Sequence, residues 1–241
     1  RTRRHHYSGP RDPGQVPRIY DILPPLGFAT AMFSSQNVAW GGMDHFLKSQ
    51  NLVRFYHPEV SDAETWVASR DPGFSTEIAA GGLVAGKFPD SYTTTQAITW
   101  LQEQAAADHP FFLSMNFQSS HFPYLLPDDA PRPFQPHQLA AEVSFVDYPK
   151  QHVPAVRNAY FNAIHECDRQ VGRLVAALQA MHRLDDTILV VTGENGEAFH
   201  ECGQVTHAKA PVEPAIHVAC VLHAPALITA GVEDYPLEHV D

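Results

Sequence analysis

Four short apolar runs decide what this chain can fold into. They cover residues 28–35, 110–117, 187–192 and 216–223, and Gly, Pro or polar residues bound each one. Runs of this length suit strands buried on both faces, the pattern of parallel sheets. Between them the period changes to that of a helix. Ser91 to Ala107 carries Thr95, Ile98, Leu101 and Ala105 on one face, with Ser91 or Thr93 placed to cap it. Val156 to Arg183 carries the strongest stripe: Tyr160, Ile164, Cys167, Val171, Leu174, Val175 and Leu178. Ile19 to Leu26 reads as a short helix ending near Gly27. Residues 1–18 read as loop and residues 55–90 as loops with weak helix. Residues 122–155 form a long proline-studded excursion, and long loops in compact domains are often functional. Strands alternating with helices predict an α/β fold, a mostly parallel sheet sandwiched by helices.

In such sheets ligands bind beyond the carboxyl ends of the strands. Ser34-Ser35-Gln36-Asn37 follows the first run, and Gln118-Ser119-Ser120-His121-Phe122-Pro123 the second. Gly193-Glu194-Asn195-Gly196-Glu197 follows the third, with His200, His207 and Lys209 beyond it. Glu194 and Asn195 offer hard oxygen donors suited to Ca²⁺, Mg²⁺ or Mn²⁺. His121 and His207 offer a proton or a contact to an anionic oxygen. Lys209 offers charge to a sulfate or phosphate group. Each also has a plainer reading. Glu194-Asn195 is a solvated turn in that view, and His121 is a loop residue among fifteen histidines. Glu197, His200 and Glu201 then cap a following helix and face water.

Composition removes several classes of function. Lys and Arg number 16 against 27 Asp and Glu, a formal charge of −11. So acidic a chain is not built to grip nucleic acid or anionic lipid. An anionic ligand needs local positive charge, for which Lys209 and Arg4 are the candidates. No apolar run is long enough for a transmembrane helix. The three cysteines, Cys167, Cys202 and Cys220, have no metal-type spacing and give no paired framework. The sequence assigns neither a compartment nor an oligomeric state.

The ordered set of segments resembles the sulfatase family of the alkaline phosphatase superfamily. Asn116-Phe117-Gln118-Ser119-Ser120-His121-Phe122-Pro123-Tyr124 is similar to the strand and loop that carry an active-site His before an aromatic and Pro. Asp186 to Glu197 resembles the strand and metal turn. Gly203, His207 and Lys209, ahead of Glu213-Pro214-Ala215-Ile216-His217-Val218, resemble the segment whose His and Lys contact the substrate anion. Gly27 to Ser35 resembles the Gly-aromatic-x-Thr strand.

The resemblance implies an alkaline-phosphatase-like fold, incomplete at both ends, with residues 1–241 as a single partial sulfatase domain. It implies metal-dependent hydrolysis of a sulfate ester on a small molecule or glycan. Glu194 and Asn195 would hold a divalent metal, Ca²⁺ first and Mg²⁺ or Mn²⁺ otherwise. His121 would be the catalytic acid that protonates the leaving group, or an anion contact, and His207 a second catalytic group on the anion's oxygens. Lys209, Ser35 and Asn37 would bind substrate, the last two standing where the family has a Lys and a His. The family nucleophile is a formylglycine made in a Cys/Ser-x-Pro-x-Arg motif, which is absent here. It is expected upstream, in a longer chain, so these residues alone are expected to be inactive and to leave a sheet edge unpaired. Two alternatives stand beside this reading: phosphate or phosphonate ester chemistry on the same fold, and a non-catalytic remnant that binds an anion.

Overall fold

The computed structural model describes residues 18–233, apart from 37, 39–46, 48–50, 59–65, 68–85, 146 and 208. Asn37 and Arg4 therefore lie outside the described residues. The chain enters through α1 (Ile19–Ile22) and a 3₁₀ turn (Pro24–Leu26). Gly27 closes that turn at φ 88°, a conformation only glycine takes without cost. The short helix expected here is present.

Among the described residues the central sheet has three strands in the order β2-β1-β5, all parallel. These are β1 (Ala29–Ser34), β2 (Arg54–Tyr56) and β5 (Phe111–Asn116). Ala29 pairs with Phe111 and Ser34 with Asn116 along the β1–β5 register. Thr30 to Ser34 of the middle strand are all buried, as a strand covered on both faces must be. Thr30 keeps its hydroxyl satisfied by donating to the Asn51 carbonyl at 2.7 Å.

The segment from residue 55 to 90 corrects the loop reading. It begins inside β2, and two further short strands, β3 (Trp66–Val67) and β4 (Gly86–Lys87), pair antiparallel. Strands of two or three residues are too short to show a period, so only their pairing partners reveal them.

Helix α2 (Asp90–Ala106) packs on the sheet through Ala97, Trp100 and Leu101. The expected face holds at Leu101, which is buried, and at Ile98, which packs against the core. Thr95 is exposed, and Thr94, Ala97 and Leu101 line the buried side with Trp100, because the large indole claims the core position. Neither Ser91 nor Thr93 caps the helix; Pro89 occupies the cap position.

Helix α3 (Val153–Ala180) is the longest element. Its C-terminal half adds Leu174 and Leu178 to the core with Phe33, Trp100 and Leu101. Its middle departs from the expected apolar stripe. Ile164 is exposed, and the buried line runs through Asn162, Glu166 and Gln170. These polar side chains are partnered, as burial requires. Glu166 accepts from Arg169 at 2.6 Å and from Gln170 at 2.5 Å. Asn162 accepts from the Phe134 N–H and donates to the Phe134 carbonyl, both at 2.9 Å. The excursion is thereby tied to the helix. A second core forms where it packs over the N-terminal half of α3, with Phe122, Tyr124, Val143, Tyr148, Val156, Ala159, Phe199 and Val205.

Strand β6 (Leu189–Thr192) is present, but it is not the expected strand buried in a parallel sheet: Val190 is exposed, and among the described residues β6 pairs only with β7. Residues 216–223 do not form one strand in a parallel array. Ile216 ends a short helix, α4 (Glu213–Ile216), and only β7 (Cys220–His223) is extended. It pairs antiparallel with β6, Leu189 against His223. A parallel return would need a crossover helix, and the residues between the two strands build the candidate site instead.

Candidate functional site

Glu194 and Asn195 sit in the turn that leaves β6. Gly196 follows because its backbone lies against α4: a Cβ there would collide with the Pro214 carbonyl. Its N–H donates to the Ala215 carbonyl at 2.9 Å. The Asn195 amide nitrogen donates to the Gly196 carbonyl at 2.8 Å, which leaves its amide oxygen as the donor atom to offer. The Glu194 carboxylate is exposed beside it.

Four of the residues singled out in the sequence line one cleft of about 490 Å³: Glu194, Asn195, His207 and Lys209. Ala210, Pro211, Ala215 and Ile216 complete it with apolar atoms. The cleft thus combines polar, titratable groups with apolar atoms.

His121 reaches the same region from the turn after β5. Its Nδ1 lies 2.8 Å from the Phe122 carbonyl. A carbonyl only accepts, so Nδ1 carries the proton and donates. The ring stacks on Phe145 at 6.0 Å and 12°. It meets His207 edge to face. Asp90, buried at the first position of α2, holds this turn. Its two carboxylate oxygens accept the backbone N–H groups of Gln118 and Ser119, each at 2.9 Å. The Cys167 thiol packs on the same carboxylate at 3.8 Å. Burial, with the Asp90 charge added, pushes that thiol up to about 12.

Ser35 is not brought to the cleft. It is fully buried, and its hydroxyl donates to Thr93 Oγ1 at 2.8 Å, tying β1 to α2.

The sequence reading missed Glu197. It is buried at 7% exposure and neither caps a helix nor faces water. Its Oε1 lies 3.1 Å from His207 Nδ1, and its Oε2 accepts the Tyr124 hydroxyl at 3.0 Å. Burial first, then the neighbouring Glu197 charge, raise the Tyr124 phenol well above its ordinary range. The available signal was its setting: a glutamate between Gly196 and the apolar pair Ala198-Phe199. Glu201 acts locally, accepting the Phe199 N–H, and His200 Nε2 bonds the Tyr148 carbonyl at 2.7 Å.

Among the described residues no group of three or more His, Cys, Asp or Glu could hold a metal ion. Glu194 and Asn195 provide two adjacent oxygen donors. That chemistry fits a hard cation, with further ligands required to fill the six to eight that Ca²⁺ takes.

The sequence matches the sulfatase family over residues 2–241. It is 25% identical to human iduronate 2-sulfatase over 225 residues, covering 75% of this chain and 40% of that protein. The chain therefore spans well under half the length of this relative. Among solved structures, the lipoteichoic acid synthase LtaP from Listeria monocytogenes aligns with a TM-score of 0.62 at 18% identity, covering 95% of this chain and 51% of that one. The phosphonate monoester hydrolase of Agrobacterium radiobacter aligns with a TM-score of 0.58 at 18% identity, covering 87% and 53%. At such identities the likeness is one of fold, the α/β architecture of the alkaline phosphatase superfamily. With the family match running almost end to end, the chain belongs to the sulfatase family.

Proposed function

We propose that this chain forms part of a metal-dependent sulfuric ester hydrolase acting on a sulfate ester of a small molecule or glycan. The observation that carries the reading is the convergence of Glu194, Asn195, His207 and Lys209 on one cleft, with the His121 ring against that of His207. Glu194 and Asn195 hold a divalent cation, Ca²⁺ before Mg²⁺ or Mn²⁺. When bound, that cation supplies positive charge to the anionic ester group. His207 and Lys209 bind the sulfate oxygens, where their charge counts most as negative charge shifts toward the leaving oxygen. His121, when it also carries a proton on Nε2, gives that proton to the leaving oxygen as its bond to sulfur breaks, while Nδ1–H stays on the Phe122 carbonyl. The nucleophile, a formylglycine in this reading, comes from outside these residues.

A second reading, hydrolysis of phosphate or phosphonate esters, rests on Ser35. It stands where the resemblance expects a basic anion contact, yet it is buried against Thr93. An assay of the full-length protein with nitrophenyl sulfate, phosphate and phenylphosphonate esters separates the two. Sulfate turnover that needs divalent metal and falls at least a hundredfold in His207→Gln supports the first reading. Turnover of the phosphorus esters alone supports the second. No turnover of any ester by metal-loaded protein would leave the anion-binding remnant.

A further inference from the structure

We propose that Glu197 is the positioning residue of this site, fixing which nitrogen of His207 faces the cleft. The argument is one of donors and acceptors. Tyr124 is buried and its phenol is raised far from ionisation, so its hydroxyl keeps its proton and donates to Glu197 Oε2. A carboxylate has only lone pairs to offer. Oε1 must therefore accept at the 3.1 Å contact, and His207 Nδ1 must carry the hydrogen. With Nδ1 taken by Glu197, Nε2 is the nitrogen left for the cleft that His207 lines.

The surroundings hold this arrangement in place. The Phe145 ring stands edge-on to His207 at 5.3 Å, which opposes ring rotation. Tyr124 and Thr206, next to the two ends of the relay, hold left-handed backbones at φ 57° and 58°. Non-glycine residues keep such conformations where surrounding structure insists on them. The relay also links three separate segments: the excursion through Tyr124, the turn after β6 through Glu197, and the loop of His207.

Nε2 is then the single variable position. Bare, it accepts a proton; protonated, it donates to an anionic ester oxygen. Its catalytic meaning rests on His207 contacting the ester, as proposed above; the hydrogen-bond assignment does not.

The test is the tautomer of His207, read by long-range proton–nitrogen correlation in full-length protein labelled with ¹⁵N-histidine. A His207→Gln spectrum supplies the assignment, and spectra recorded across pH identify the neutral form. Wild type is expected to show the hydrogen on Nδ1. Folded Glu197→Ala is expected to shift it to Nε2, the form histidine favours in water. A wild-type spectrum with hydrogen on Nε2 overturns the proposal without any variant. So does a folded Glu197→Ala that keeps the wild-type tautomer. The measurement uses no substrate, so the relay can stand even if the ester assay fails.

Discussion

His121 and His207 meet edge to face, their ring centroids 6.1 Å apart and their planes at 69°. They come from segments far apart in the chain, one from the turn after β5 and the other from the loop between β6 and β7. Their meeting depends on two buried carboxylates, Asp90 under the first loop and Glu197 under the second. Neither carboxylate lines the cleft.

Asp90→Ala should destabilise the protein by about 2–4 kcal/mol, because two backbone N–H groups lose a charged acceptor inside the fold. Asp90→Asn should cost less, since one N–H keeps an acceptor while the amide NH₂ faces the other. Denaturant midpoints at unchanged slope would show this order. An Asp90→Ala midpoint equal to wild type would mean that the turn before His121 is held by something else.

Gly196→Ala should cost about 1–3 kcal/mol, the usual range for forcing atoms into filled space. The added methyl meets the Pro214 carbonyl, part of the backbone rather than a yielding side chain. The strain falls on the Glu194-Asn195 turn, so Ca²⁺ affinity by calorimetry on the full-length protein should fall with thermal stability. Unchanged affinity in a destabilised variant would place the cation elsewhere.

The three thiols should separate by reactivity. Cys202 and Cys220 are exposed, whereas Cys167 is half-buried against Asp90 with its thiol pushed up to about 12. Only a thiolate attacks a disulfide reagent. At pH 8, native protein should react at Cys202 and Cys220, and Cys167 only after denaturation, as peptide mapping would show. The same shift sets a pH dependence. The folded state holds this proton more tightly than the unfolded state does. The stability it contributes is complete below pH 9, the ordinary thiol value, and is lost as pH rises toward 12.

The 241-residue chain by itself should show no sulfate ester turnover, since no Cys/Ser-x-Pro-x-Arg lies within it. Metal-dependent hydrolysis of nitrophenyl sulfate by this chain, abolished in Glu194→Ala, would overturn the assignment of the nucleophile outside it.

The parts that were legible in the sequence share one property: their signal is local. Phe28 to Ser35 and Pro110 to Phe117 announce β1 and β5 by their apolar runs. The strand ends then pointed to Glu194, Asn195, His207 and Lys209, which do share a cleft. What stayed hidden depends on partners far along the chain. β2 has three residues and exists through its pairing with β1. On α3, Ile164 looked like core but is exposed, while Glu166 is buried, because Arg169 and Gln170 make burial of that carboxylate tolerable. Ser35 looked like a ligand at a strand end, but Thr93 lay within reach of its hydroxyl. Glu197 needed both Tyr124 and His207, and no spacing rule links those three positions.

Asn162 grips Phe134 by both its N–H and its carbonyl, as a neighbouring strand would. The proline-rich segment from 122 to 155 is therefore not a flap. Its amide at Phe134 should exchange hydrogen only when α3 itself opens, and a protease that nicks the segment at an exposed site should leave both pieces attached. A relative that reshapes its substrate range by lengthening this segment would have to do so on either side of Phe134, with the clamped residue serving as a fixed post.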